Sequence, residues 1–226
     1  MHRSLKNLVE LREILFPMHC FGCNTLGINI CSKCRRFWNP HFYIQEIDGL
    51  AVYSSIRYSP VARSILLSAK ENSVKLADEL IIDALFDCLK RLPSHLLRDS
   101  VLMPIPGSKR AIRKRGRDFI LDLTNELSLR SGLKCVPGMR VSRRLLDQSG
   151  LSSVDRSRNI KGAFEYLHKS IIEGDPREQF KSVILVDDLV TTGSTLLEAK
   201  RALNSVGISN VRAITACMAQ TLNIGG

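Results

Sequence analysis

VILVDDLVTTGSTLLEAKRAL, residues 183–203, sets four apolar residues against two adjacent carboxylates, then a run of small hydroxylated residues leading into a helical pattern. Val183 to Val186 form a continuous apolar run of strand length, the pattern of a parallel strand covered on both faces. Ligands of parallel sheets bind at the carboxyl ends of the strands, which is where Asp187 and Asp188 fall. Beyond them Thr191, Thr192, Gly193, Ser194 and Thr195 offer hydroxyls and backbone N–H groups at a helix start. Leu196, Leu197, Ala199, Ala202, Leu203 and Val206 give that helix one apolar stripe, and Gly207 suits its end.

A helix start built from small residues is a phosphate site, because its unpaired N–H groups point outward and its dipole favours an anion. Two carboxylates beside such a cradle repel each other and repel the anion. A phosphorylated sugar reconciles them: the loop takes the phosphate, and the acids accept the ring hydroxyls. A Walker A loop is excluded, since the chain has no GK[ST].

Working outward, 226 residues with 44% hydrophobic composition suffice for one ordinary domain and a small appendage. The excess of 33 Lys and Arg over 22 Asp and Glu, a formal charge of +11, favours anionic partners: nucleic acid, phosphorylated metabolites or acidic lipid. No apolar run approaches the roughly 18 residues of a membrane span, and residues 1–20 lack the apolar core and cleavage site of a signal peptide. A cytoplasmic protein is expected. Its seven cysteines agree, four in paired CxxC spacing and Cys88, Cys135 and Cys217 singly in apolar surroundings.

Along the chain, residues 3–16 have helical apolar spacing up to Pro17, and 49–58 alternate as a strand. Helices are expected near 60–69 and 73–92, with Lys70 as a solvated lysine at the end of the first. From residue 101 a repeated strand, loop, helix pattern argues for an α/β fold with a parallel sheet flanked by helices. The expected division is a helix and cysteine module over 1–44 and the α/β domain over 45–226.

In CFGCNTLGINICSKC, the spacing of Cys20, Cys23, Cys31 and Cys34 lets two tight turns aim four thiolates at one tetrahedral ion. Structural zinc is the expected occupant, which would order a segment too short to build a core. A redox pair and plain reduced cysteines are the alternative readings. Elsewhere, Leu102 to Ile105 reads as a strand with a turn, Pro106, Gly107 and Ser108, at its carboxyl end. Six basic residues follow within nine: Lys109, Arg110, Arg113, Lys114, Arg115 and Arg117. This density exceeds what one pyrophosphate requires and suits a nucleic-acid backbone, with a solvated basic loop as the plain alternative.

Four apolar residues, DD, two apolar residues and TTGST together resemble the signature of type I phosphoribosyltransferases, which bind 5-phosphoribosyl-1-pyrophosphate (PRPP). The segments LFPMHCFGC, VLMPIPGSKRAIRKRGRDF (101–119) and RRLLDQSGLSSVDRSRNIKGAF (143–164) extend the resemblance, over nearly the whole chain, to the ComF family. It implies a type I phosphoribosyltransferase-like sheet preceded by a zinc module, with Asp187 and Asp188 on the ribose hydroxyls and residues 191–195 on the 5-phosphate. Pro106, Gly107, Ser108, Lys109 and Arg110 would meet the pyrophosphate. A flexible loop carrying Gln148, Arg156 and Asn159 would close over PRPP, and Mg²⁺ would come with it. Arg113, Lys114, Arg115 and Arg117 are the candidates for single-stranded DNA, although Arg115 to Phe119 departs from the family's usual RGF-N-Q pattern.

The role implied is uptake and handling of single-stranded DNA in natural transformation, with competence or DNA-processing proteins as partners at the inner membrane. The alternative is a working transferase that places ribose 5-phosphate on a small acceptor in nucleotide metabolism. Thr191 stands where 6-oxopurine salvage enzymes of this fold carry an acid, which argues against that substrate class. No nucleobase hood is recognisable beyond Phe164 or Tyr166.

Overall fold

The computed structural model describes residues 18–143, 158–167 and 181–219. The helix expected over 3–16 lies outside them, as does most of the 143–159 segment, including Gln148 and Arg156.

Strand β6 (Ser182–Val190) occupies the place its apolar run demands, inside a five-stranded sheet. The order is β1 (Tyr43–Ile47), β2 (Leu50–Arg57), β7 (Val211–Met218), β6 and β3 (Ser100–Pro104). Only β1 runs antiparallel to its neighbour; the β2–β7, β7–β6 and β6–β3 pairs are parallel. A mixed sheet with one antiparallel edge strand is common in α/β folds. The strand expected over 49–58 is β2; β1 has no counterpart among the expected elements, because its half-exposed residues give little apolar signal at an edge. The polar residues inside the sheet have partners: Ser54 and Thr215 join hydroxyls at 2.6 Å, and Ser55 donates to the Ala84 carbonyl at 2.6 Å.

Helices cover both faces. On one side α2 (Pro60–Asn72), α3 (Lys75–Arg91) and α6 (Phe119–Ser131) pack on Ile56, Leu102, Ile184, Val186 and Ile214. On the other side α7 (Ser194–Asn204) packs on Val52, Val101, Met103, Val183, Leu185 and Ala213. Helix α2 runs to Asn72, past the expected 69, and stops where Ser73 turns left-handed at φ 53°. Two short helices, α1 (Ser32–Arg35) and α4 (Ser94–Leu97), serve as connectors.

The basic run after β3 is not a loop but helix α5 (Lys109–Arg115). Ser108 caps it, its Oγ accepting the Ala111 N–H at 3.2 Å. A small hairpin, β4 (Met139–Val141) with β5 (Phe164–Tyr166), lies against α7. Glu198, 5% exposed, accepts the Phe164 N–H at 3.1 Å and two bonds from Arg201, which also donates to the Phe164 carbonyl. The hairpin is thereby tied to the helix that follows the hydroxyl-rich loop.

Candidate functional site

Parallel β3 and β6 end side by side, and a cleft of about 650 Å³ opens there. The Ile105 N–H still bonds the Val186 carbonyl at 3.0 Å, so the turn Pro106, Gly107, Ser108 starts directly beside the acids. Into this cleft the structure brings Asp187, Asp188, all of Thr191, Thr192, Gly193, Ser194 and Thr195, and Pro106, Gly107, Ser108 and Arg110. Lys109 does not line it. Asn159 is described but likewise lies outside the lining, next to Ile160, which lines it. Arg143 donates to the Asn159 and Lys161 carbonyls at 2.8 and 2.9 Å, holding that segment to the end of β4.

The loop after β6 is shaped by one residue. Gly193 sits at φ 77°, in the left-handed region, immediately before α7. A Cβ there would lie 2.6 Å from Ile47 Cδ1 and 3.0 Å from Ile47 Cγ2. The β1–β2 hairpin therefore presses on the loop, and Lys200 of α7 secures the hairpin's turn by donating to the Gly49 carbonyl at 2.6 Å. Thr192 Oγ1 and Ser194 Oγ lie 2.9 Å apart, so the hydroxyls are already grouped at the helix start.

Before the acids, Ile184 and Val186 face α2 while Val183 and Leu185 face α7. At the strand end the Asp187 and Asp188 carboxyls stay in hydrogen-bonding contact with each other. Asp188 is 6% exposed and meets Lys70, whose Nζ lies 3.0 Å from Oδ2 and 3.2 Å from Oδ1. Burial works against the Asp188 carboxylate, but the Lys70 charge brings its pKa below the ordinary range. For Asp187, burial and the Asp188 charge outweigh the Lys70 charge and push its carboxyl well above the ordinary range. For Lys70, burial favours loss of the proton, yet Asp188 and Asp187 outweigh it and raise the pKa. The expected solvated lysine is thus a site residue. The family resemblance also tends to place a lysine here, but the local sequence reads as a solvated helix end because the partner lies 118 residues away.

The basic run divides. Arg117 forms a bidentate pair with Asp78 at 2.7 and 2.8 Å and caps the Ala69 carbonyl at 3.0 Å, fastening α2, α3 and the start of α6. Arg115 and Lys114 both reach Glu71, at 2.8 and 3.1 Å. Lys109, Arg110 and Arg113 are exposed and have no ion pair among the described residues, and Lys114 keeps most of its side chain in water.

The four cysteines also converge. The Sγ atoms of Cys20, Cys23, Cys31 and Cys34 all lie within 4.8 Å of one another, and Cys23 and Cys31 are 3.6 Å apart. Zinc–thiolate bonds of about 2.3 Å in a tetrahedron separate the sulfurs by about 3.8 Å, so this group can hold a metal ion such as zinc. Backbone N–H groups already support the sulfurs, from Cys31 to Cys20 at 3.3 Å and from Cys34 to Cys31 at 3.5 Å. The module packs into the core through Cys20, Ile30, Cys34 and Trp38, alongside Val61 of α2. Gly22 makes that fit possible, since a Cβ there would stand 2.7 Å from Cys34 Sγ and 3.0 Å from Val61 Cγ1.

Residues 114–222 match the phosphoribosyl transferase domain family. A stretch of 65 residues is 38% identical to Competence protein F of Haemophilus influenzae, covering 29% of this chain and 26% of that protein. The match thus spans about a quarter of that relative's length. Among solved structures, adenine phosphoribosyltransferase from Saccharomyces cerevisiae, complexed with D-2,5-dideoxy-2,5-imino-altritol 1,6-bisphosphate and adenine, aligns over 84% of this chain and 90% of that chain. The alignment has 16% identity and a TM-score of 0.36. No described helix is long and apolar enough to cross a membrane.

Proposed function

We propose that this chain, which carries a phosphoribosyl transferase domain and fits a ComF-like protein by its partial similarity to Competence protein F and its four-cysteine cluster, binds PRPP in the cleft between β3 and β6. The observation that carries the reading is the convergence at one sheet edge of an acidic pair, a helix-start phosphate loop and a second turn followed by basic residues. These are three different recognition chemistries, for hydroxyls, a phosphate and a pyrophosphate. In this reading residues 191–195 take the 5-phosphate, the acidic pair takes the ribose, and Pro106 to Ser108 with Arg110 take the pyrophosphate. Carboxylates and hydroxyls are hard oxygen donors, so the cleft suits the Mg²⁺ that accompanies such a ligand and neutralises its charge. Structural zinc in the cysteine cluster completes the cofactor set.

The chain's own part in any transfer is then positional. The sugar is held at both ends, and the basic side chains face the leaving group, which keeps the anomeric carbon open for attack. Calorimetric titration with PRPP and Mg²⁺ tests the site: binding is expected to the wild type and to be lost in Asp187→Asn/Asp188→Asn. A wild type that does not bind would refute the reading.

The name of the curated relative points to competence, and we place the chain on the cytoplasmic side of DNA uptake, handling incoming single strands at the inner membrane. Exposed Arg113 and Lys114, beside Lys109 and Arg110, are the side chains best placed for a phosphate backbone. Arg113→Gln/Lys114→Gln is expected to flatten the salt dependence of single-strand binding, with a slope reduced by about 1.4 for two phosphate contacts, and to leave PRPP binding measurable. Strand binding with an unchanged slope would leave the working-transferase reading as the better one.

A further inference from the structure

Helix α5 stands between the cleft and the outer surface, and its basic side chains are divided between the two. Arg110 and Lys114, one turn apart, line the cleft. Lys109 and Arg113, the neighbouring stripe around the helix, are exposed and lie outside the lining. Ile112 fixes the helix in this orientation, packed so closely under the second turn that a Cβ at Gly107 would lie 3.2 Å from its Cγ1. The helix therefore cannot roll to present a fresh set of charges to either side.

Arg115 is committed, since its Nε and Nη2 both donate to Glu71 Oε1, at 3.1 and 2.8 Å. Lys114 reaches the same Glu71 but keeps 74% of its side chain in water, where an ion pair contributes little and exchanges readily for a phosphate. Arg110 is exposed, with no ion pair among the described residues. These two cations can turn to a pyrophosphate in the cleft or to a strand lying along Lys109 and Arg113, but not to both at once. The seven-residue helix is about 10 Å long, close to one Debye length at physiological salt, so polyanions on its two sides also repel each other.

We propose that PRPP and single-stranded DNA compete through α5: a ligand in the cleft draws Arg110 and Lys114 inward and weakens the hold on the strand, which makes PRPP a regulator of strand binding. This rests on the readings of the cleft as a PRPP site and of the outer basic face as a strand surface. Such coupling is reciprocal, so the strand weakens PRPP binding by the same factor.

Fluorescence anisotropy with a labelled oligothymidylate and calorimetry with PRPP test this on the full chain, each without and with the other ligand at fixed ionic strength and Mg²⁺. Saturating PRPP is expected to weaken strand binding about tenfold and to lower its salt slope by about 1.4, as for two lost phosphate contacts. The strand is expected to weaken PRPP about tenfold in return. Arg110→Gln and Lys114→Gln should each cut the coupling to about threefold or less. Should Arg110→Gln bind PRPP too weakly to saturate, Lys114→Gln decides. Strand affinity that is unchanged or tighter with PRPP bound overturns the proposal while both sites stand, and so does a coupling that survives both substitutions. If the wild type binds PRPP but no strand, the surface reading fails and takes this inference with it; if it binds no PRPP, the cleft reading does the same.

Discussion

Stripping the proposed zinc from the cysteine cluster is expected to move the emission of Trp38 to longer wavelength and to lower the melting temperature by about 20 °C or more. A structural zinc site supplies on the order of 10 kcal/mol to the folded state, and each kcal/mol moves the midpoint of a chain this long by about 2–4 °C. The readout is clean because Trp38 is the chain's single tryptophan. It is 5% exposed, its backbone N–H donates to the Arg35 carbonyl at 3.0 Å, and it shares a core with Cys34 and Val61. Loss of the ion leaves four thiols and no compensating core in a segment of 15 residues, Cys20 to Cys34, so the module opens and Trp38 meets water. Cys20→Ser should reproduce the shift and make the protein insensitive to chelator. The damage should reach the cleft, because Val61 and Lys70 belong to the same helix, α2. An unchanged Trp38 spectrum after verified metal removal would show that the four cysteines hold their arrangement by packing alone.

Gly193→Val should abolish PRPP binding, by about 100-fold or more, in a protein that still folds. Two effects combine at this position. The backbone stands at φ 77°, where a side chain costs roughly 1–2 kcal/mol and a β-branched one more. In addition the new Cβ would come within 2.6 Å of Ile47 Cδ1 and 3.0 Å of its Cγ2, and while Cδ1 can rotate away, Cγ2 is fixed by the branch at Cβ on the paired strand β1. The least costly relief is for the loop to withdraw, which pulls the N–H groups at the start of α7 off the phosphate. Gly193→Ala should lose less, and Ile47→Ala in the same chain should restore part of that loss by removing the clash but not the strain. A wild-type affinity in Gly193→Val would mean that the phosphate does not bind at this loop.

The reach of sequence reading follows the distance over which each signal acts. The acidic pair, the hydroxyl run and the amphipathic helix after them are contiguous, so strand end, loop and helix start are legible in one stretch. The four cysteines are legible for the same reason, since their spacing already bends the chain toward one point. The basic run is legible as charge but not as structure: Ser108 capping turns it into a helix, and Glu71 and Asp78 from other helices take up Lys114, Arg115 and Arg117. The edge strand β1 escapes sequence reading because its half-exposed residues carry little apolar signal.

What the sequence determined by itself was therefore the chemistry on offer: a hydroxyl-rich helix start beside two carboxylates, four clustered cysteines and a basic run, each written in neighbouring residues. What only the tertiary structure decided was the allocation of that chemistry. Helix α2 delivered Lys70 to Asp188 across 118 residues, and the β1–β2 hairpin brought Ile47 against Gly193. Charge pairing and close packing depend on which elements the sheet order makes neighbours, and that order is a property of the whole chain rather than of any segment of it.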